Sequence, residues 1–186
     1  MSNVIHFRDA GLASLRERVA ALDEANADLI AFARGHSGAA SSIHAAVLAA
    51  MDTEGLEHLI HCITQDWTDI LAVDAIAVAL VAGGRGMRAG GSGLQFVSRD
   101  EIAATLDGAP EVMMRGVDHG DIVFGPAAPL IKAEALIRLD MAKPLPEGVL
   151  ALGSRRPHAF DGGHGSELLA FLGRATARMI ARWLLD

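Results

Sequence analysis

The sequence predicts an α+β fold: an antiparallel sheet with helices on one face, preceded by an N-terminal coiled-coil-type helix. Three observations predict it. Apolar residues recur at alternating steps of three and four from Leu12 to Ala33, the spacing of a heptad seam. Between Val73 and Val81 the period drops to two, and both alternating sets are largely apolar, as in a central strand covered on two sides. Further strand-length segments follow, before one long amphipathic stretch ends near Leu185. Helices, strands, a short helix, strands and a helix, in that order, make an α+β sandwich.

In the first segment Leu12, Val19 and Ala33 take heptad position a, and Leu15, Leu22 and Leu29 take d. The remaining a position is Asn26, a residue that fixes register in parallel two-stranded coils at some cost in stability. Arg18 at g and Asp23 at the following e would meet as opposite charges across a parallel pair. A homodimer is therefore expected, with Leu12, Leu15, Val19, Leu22, Asn26 and Leu29 at its interface. Gly35 reads as the helix stop, which divides the chain into a dimerisation helix over residues 1–35 and a domain over residues 36–186.

A second helix carries Ile43, Val47, Leu48 and Met51, and Asp52 or Thr53 is placed to cap a third, whose stripe runs from Leu56 to Leu71. The strand at Val73–Val81 has one face of alanines, Ala75, Ala77 and Ala79; such a face admits a close helix or leaves room for a ligand. Gly83 to Gly93 reads as a glycine-rich connection, followed by a short strand at Leu94–Val97. Ser98 and Glu101 form a capping box for a brief helix to about Leu106. Strands are expected at Val112–Val117, Glu134–Leu139 and Gly148–Ser154, the last two joined through Pro144 and Pro146. The final helix spans Gly165–Leu185, with Leu168, Leu172, Ala175, Met179 and Trp183 on its main face.

Composition narrows the function. The net charge of −7 disfavours direct nucleic-acid binding, which needs a basic footprint. A single cysteine, Cys62, suits a reducing compartment. Met1–Gly11 holds no apolar signal core, and no run is long and apolar enough to span a membrane. The expected location is cytoplasmic.

The candidate chemistries reduce mostly to structure. His58, His61 and Cys62 have one-helix metal-ligand spacing, yet the apolar stripe places them on the solvated side without a fourth ligand, and no metal is expected. Gly84-Arg85-Gly86-Met87-Arg88-Ala89 mimics a dinucleotide fingerprint, but Gly90-Gly91-Ser92-Gly93 follows where a helix must open; a hairpin loop is the better reading. Asp161 to Ser166 reads as a helix cap. Ser154 is followed by Arg155, Arg156 and Pro157, where a nucleophile elbow needs glycine and a helix. No catalytic residues and no cofactor are expected. His119, flanked by Asp118 and Asp121, is the most suggestive acid–base group, although the same residues are ordinary turn chemistry. A small-molecule cleft is expected opposite the terminal helices, because the segment covering that face is glycine-rich and thin. Met113, Arg115, His119 and Phe124 are its expected lining, suited to a polar or weakly anionic ligand.

Leu150-Ala151-Leu152-Gly153-Ser154, then Phe160, Gly165 and Leu168 in the Arg-flanked last helix, carry a resemblance, as does Leu56–Leu59 leading through Trp67 into Val73-Asp74. On these stretches the chain resembles a bacterial family of GAF-like proteins catalogued as a domain of unknown function (number four-eight-four). The resemblance implies a GAF fold and the sensing or dimer-signalling roles common among GAF domains. The family's genes are often found beside a site-specific tyrosine recombinase, which makes an accessory role in recombination or cell division a runner-up. The expected function is a non-enzymatic sensor or adaptor, alone or with a protein partner; the alternative is a small-molecule enzyme with an unrecognised site.

Overall fold

A computed structural model describes Arg18, Val19, Leu22, Asp23 and residues 37–82, 84–160 and 165–185. The chain divides into two compact units, Met1–Gly38 and Ala39–Asp186. In the first, the four residues from Arg18 to Asp23 that are described are helical and exposed, Val19 at 52% and Leu22 at 68%. Leu12, Leu15, Asn26, Leu29 and Gly35 lie outside the described residues.

The second unit opens on α1, residues 39–51 of a helical stretch. Helices α2 (Leu56–His61) and α3 (Trp67–Ile70) follow, joined by a π-helical turn, Cys62–Asp66. The cap expected from Asp52 or Thr53 is not made. Gly55 stands at the N-cap of α2 without a side-chain bond, and the Thr53 hydroxyl donates instead to the Ala50 carbonyl, closing α1. The π-turn inserts a residue into the i→i+4 ladder and so shifts the buried stripe. Cys62, Ile63 and Thr64 all turn inward there, and the Thr64 hydroxyl is satisfied by the Ile60 carbonyl at 2.8 Å.

Six strands form one antiparallel sheet in the order β3-β2-β1-β6-β5-β4. They are β1 Ala75–Ala82, β2 Arg85–Gly90, β3 Gly93–Ser98, β4 Val112–Gly116, β5 Ala133–Leu139 and β6 Glu147–Ser154. Helix α4 (Arg99–Leu106) lies between β3 and β4, a 3₁₀ segment (Ile122–Leu130) between β4 and β5, and α5 (Ser166–Leu185) ends the unit. The segment expected to be a glycine-rich connection is thus strand β2. Gly86 is what the packing demands there: a Cβ on it would stand 2.7 Å from Ile102 Cδ1 of α4.

Register sorts the side chains into two cores, because directly opposite residues in a ladder share a face. Ile76, Val78 and Leu80 of β1, Ile137 and Leu139 of β5, and Leu150 and Leu152 of β6 join Leu59, Ile63, Trp67, Leu172 and Ile180 in the helix-side core. Ala77 and Ala79, with Val149, Ala151 and Leu136, form the opposite core beneath Ile102 and Leu106 of α4 and Val123, Phe124 and Ile131. On α5 the buried face is Leu169, Leu172, Thr176 and Ile180, one step round from the expected stripe; Leu168, Ala175, Met179 and Trp183 flank it, half-buried. A threonine can sit at the centre of that face because its hydroxyl donates to the Leu172 carbonyl at 2.8 Å. Among the described residues, no helix is long and apolar enough to cross a membrane.

Candidate functional site

The sheet face opposite α5 is where a ligand was expected, and its floor is small: Ala77, Ala79, Gly86, Gly90, Ala151 and Gly153. Large side chains from the covering layer fit directly onto that floor. A Cβ on Gly153 would approach Ile131 Cδ1 to 2.7 Å and Phe124 Cε1 to 2.9 Å. Phe124, Ile131, Ile102 and Leu106 are all buried in this layer. Gly153 and Gly86 are therefore seats for the cover's own side chains, Phe124 and Ile131 on the first and Ile102 on the second.

A polar network fastens the cover to the sheet. Glu134, in the middle of β5, is fully buried at 0% exposure. Its Oε1 accepts from Arg115 Nε at 2.8 Å and Nη2 at 2.7 Å, and its Oε2 from the Asp121 backbone N–H at 2.6 Å. Asp121 Oδ1 in turn accepts from the Val123 backbone N–H at 3.0 Å, opening the 3₁₀ segment, and from the Thr105 hydroxyl of α4 at 2.9 Å. One buried carboxylate thus fixes β4, the turn after it and, through Asp121, α4. Burying a charge is tolerable only when it is paired and hydrogen-bonded, and here both conditions hold.

A second cation lies further along the same face. Arg88 of β2 is half-buried; its Nη1 donates to the Ile122 carbonyl at 3.0 Å and its Nη2 to Gln95 Oε1. Its guanidinium lies against Gly125, where a Cβ would come within 2.8 Å of Cζ. Gly125 holds φ +57° inside the 3₁₀ segment, a conformation glycine adopts freely.

The expected ligand residues are only partly brought together. Met113 packs half-buried against the opposite core, and Phe124 is buried over Gly153. Arg115 is engaged with Glu134. His119 is exposed in the turn after β4. Sequence reading missed Glu134 and Arg88. A lone carboxylate at an inward position of an apolar strand was the available signal for the first; glycine density, which suggested a loop, hid the second.

The helix trio separates. His58 and His61 are exposed, whereas Cys62 is buried, not solvated as expected. Burial, with the negative charge of Asp66 beside it, pushes the Cys62 thiol up to about 11. At the other end of the sheet Asp74 joins β1 to the chain leaving β6. Its Oδ2 accepts from the Ser154 hydroxyl at 3.0 Å and the Arg155 backbone N–H at 2.8 Å. The Arg155 N–H chiefly, then the Ser154 hydroxyl and the charges of Arg155 and Arg156, hold the Asp74 carboxyl below its ordinary value against a smaller desolvation effect. Ser154 is a buried strand-end tie, its oxygen also accepting from the Arg156 N–H at 3.1 Å.

The same architecture recurs in solved structures. The GAF domain of an Acinetobacter phosphoenolpyruvate-protein phosphotransferase aligns with a TM-score of 0.56 and 14% identity, over 77% of this chain and 93% of that one. A methyl-accepting chemotaxis protein aligns at 0.52 and 12%, over 78% and 99%. The free methionine-R-sulfoxide reductase of Neisseria meningitidis, in complex with its substrate, aligns at 0.51 and 14%, over 77% and 88%. No curated protein matches the sequence. The fold is that of a GAF domain, and a family model matches residues 1–185: the chain belongs to the family described as "Protein of unknown function, DUF484".

Proposed function

We propose that the chain is a non-enzymatic regulatory module of the GAF type that works as an adaptor, a homodimer held by its N-terminal heptad segment and acting through protein contacts. The observation that carries this reading is the filled floor of the sheet. Phe124 and Ile131 seat on Gly153, Ile102 seats on Gly86, and the Arg115 charge is consumed by Glu134. An enzyme needs convergent titratable groups open to a substrate; on this face the buried groups satisfy one another. The sulfoxide reductase neighbour shows that one fold serves different ends, so the argument rests on these residues.

A second reading, a small-molecule sensor, is favoured by Arg88, a half-buried guanidinium whose described partners are a carbonyl and an amide. A thermal-shift screen of nucleotides, organic acids and amino acids separates the two. A ligand confined to the folded state adds RT ln(1 + [L]/Kd), about 2.7 kcal/mol at a hundredfold excess over Kd. The adaptor reading expects no compound to move the midpoint. A shift that disappears in Arg88→Gln would replace it with the sensor reading.

A further inference from the structure

Among the described residues, strand β3 closes one edge of the sheet and is paired to β2 alone. Its register is unbroken from Arg85↔Ser98 to Gly90↔Gly93, so no bulge twists the edge away. Natural edge strands are usually blunted by lysine, proline, inward charges or bulges. Here Ala89 to Ser98 contains no ionisable residue and no proline. The opposite edge differs, because β4 carries Arg115. Two large apolar side chains stand on one face of β3, Leu94 at 57% exposure and Phe96 at 81%.

We propose that β3 is a self-pairing edge, through which two copies of this chain join their sheets antiparallel about a two-fold axis at Gln95. Self-complementarity selects a second copy as the occupant: the two exposed apolar residues, Leu94 and Phe96, pair with each other across the axis. The chain carries a net −7, so two copies repel over much of their surface, and this neutral stretch lets them approach without like charges opposed. Register agrees. A two-fold axis normal to the sheet keeps each face on its own side, so opposed residues must share a face. Centring on Gln95 places Leu94 of each copy opposite Phe96 of the other, two aliphatic–aromatic pairs of the kind that stabilise sheets. Val97 then opposes Gly93, and the arrangement is isologous, as a closed dimer requires. This contact is independent of the heptad segment and adds to any assembly that segment makes.

The test is sedimentation of the full-length chain across a concentration series, as wild type, Phe96→Lys and Phe96→Leu, with hydrogen exchange of the amides from Gly93 to Ser98. Residue 96 is exposed enough that the lysine leaves the fold intact, which an unchanged thermal midpoint verifies. As concentration rises, the wild type and Phe96→Leu should form a species of twice the mass of the largest that Phe96→Lys forms, with β3 amides gaining protection in step; in Phe96→Lys they should gain none. The proposal is overturned if all three sediment alike, if β3 protection is independent of concentration, or if protection appears only with a different protein added. An assembly persisting unchanged in Phe96→Lys would leave the heptad segment as its source, so the two contacts are read separately.

Discussion

At the residue scale, the Glu134 carboxylate and the Arg115 guanidinium form the pair on which the covering layer is pinned, and they are not equally exposed: 0% against 47%. Removing the arginine strands a charge inside the protein, whereas neutralising the carboxylate leaves Arg115 free to turn to water. Arg115→Met should therefore destabilise by about 3 kcal/mol, and Glu134→Gln, which keeps an acceptor for the Asp121 N–H, by about 1 kcal/mol. Urea unfolding checks the order, and the double variant should recover part of the Arg115→Met loss. Equal losses would mean that the Arg115–Glu134 pair does not pin the covering layer. Asp74 gives a pH prediction. Its folded value is lowered, so its contribution is present above the unfolded carboxylate value of about 4 and is lost as pH falls through the lower folded value. The stability advantage of wild type over Asp74→Asn should be constant at neutral pH and shrink below about pH 4. Thermal midpoints taken along an acid series measure it; an advantage that persists undiminished would break the Asp74–Arg155 account.

At the scale of elements, the covering layer sets its distance from the sheet by glycine. Gly153→Ala drives a methyl into Ile131 and Phe124 and should cost about 1–3 kcal/mol. Gly91→Ala meets nothing within 4 Å and should stay within about 0.5 kcal/mol. Chemical denaturation compares the two, and equal tolerance would mean that the layer is loose enough to admit a ligand. The elements also show what the sequence could carry. Strands β1, β5 and β6 were legible because apolar alternation on two faces is an energetic requirement of a covered sheet. The Ser98 cap of α4 was legible because it is local chemistry: the Ser98 hydroxyl accepts from the Glu101 N–H at 3.3 Å. Strand β2 was not, since its Gly86 answers to Ile102, a contact formed only after folding. The same holds for Cys62, which a π-turn carries inward against the simple helical period, and for Thr176, whose self-satisfied hydroxyl disguises a core position. At the site, Met113 and Phe124 lie in the opposite core, but the engagement of Arg115 depends on β4 pairing Arg115 opposite Glu134 of β5, a long-range register that composition does not encode.

At the scale of the molecule, we propose that this GAF-type domain acts through assembly: its described buried charges are satisfied internally, and the neutral surface of β3 and the heptad segment are what it would offer to another chain. Native mass spectrometry of full-length protein, purified gently and sprayed at low micromolar concentration, tests this most directly, because one spectrum reports oligomer and retained ligand together. The account predicts species at twice the chain mass or a higher even multiple of it, with no small-molecule adduct. A monomer at that concentration, or a stoichiometric adduct that disappears in Arg88→Gln, would contradict it.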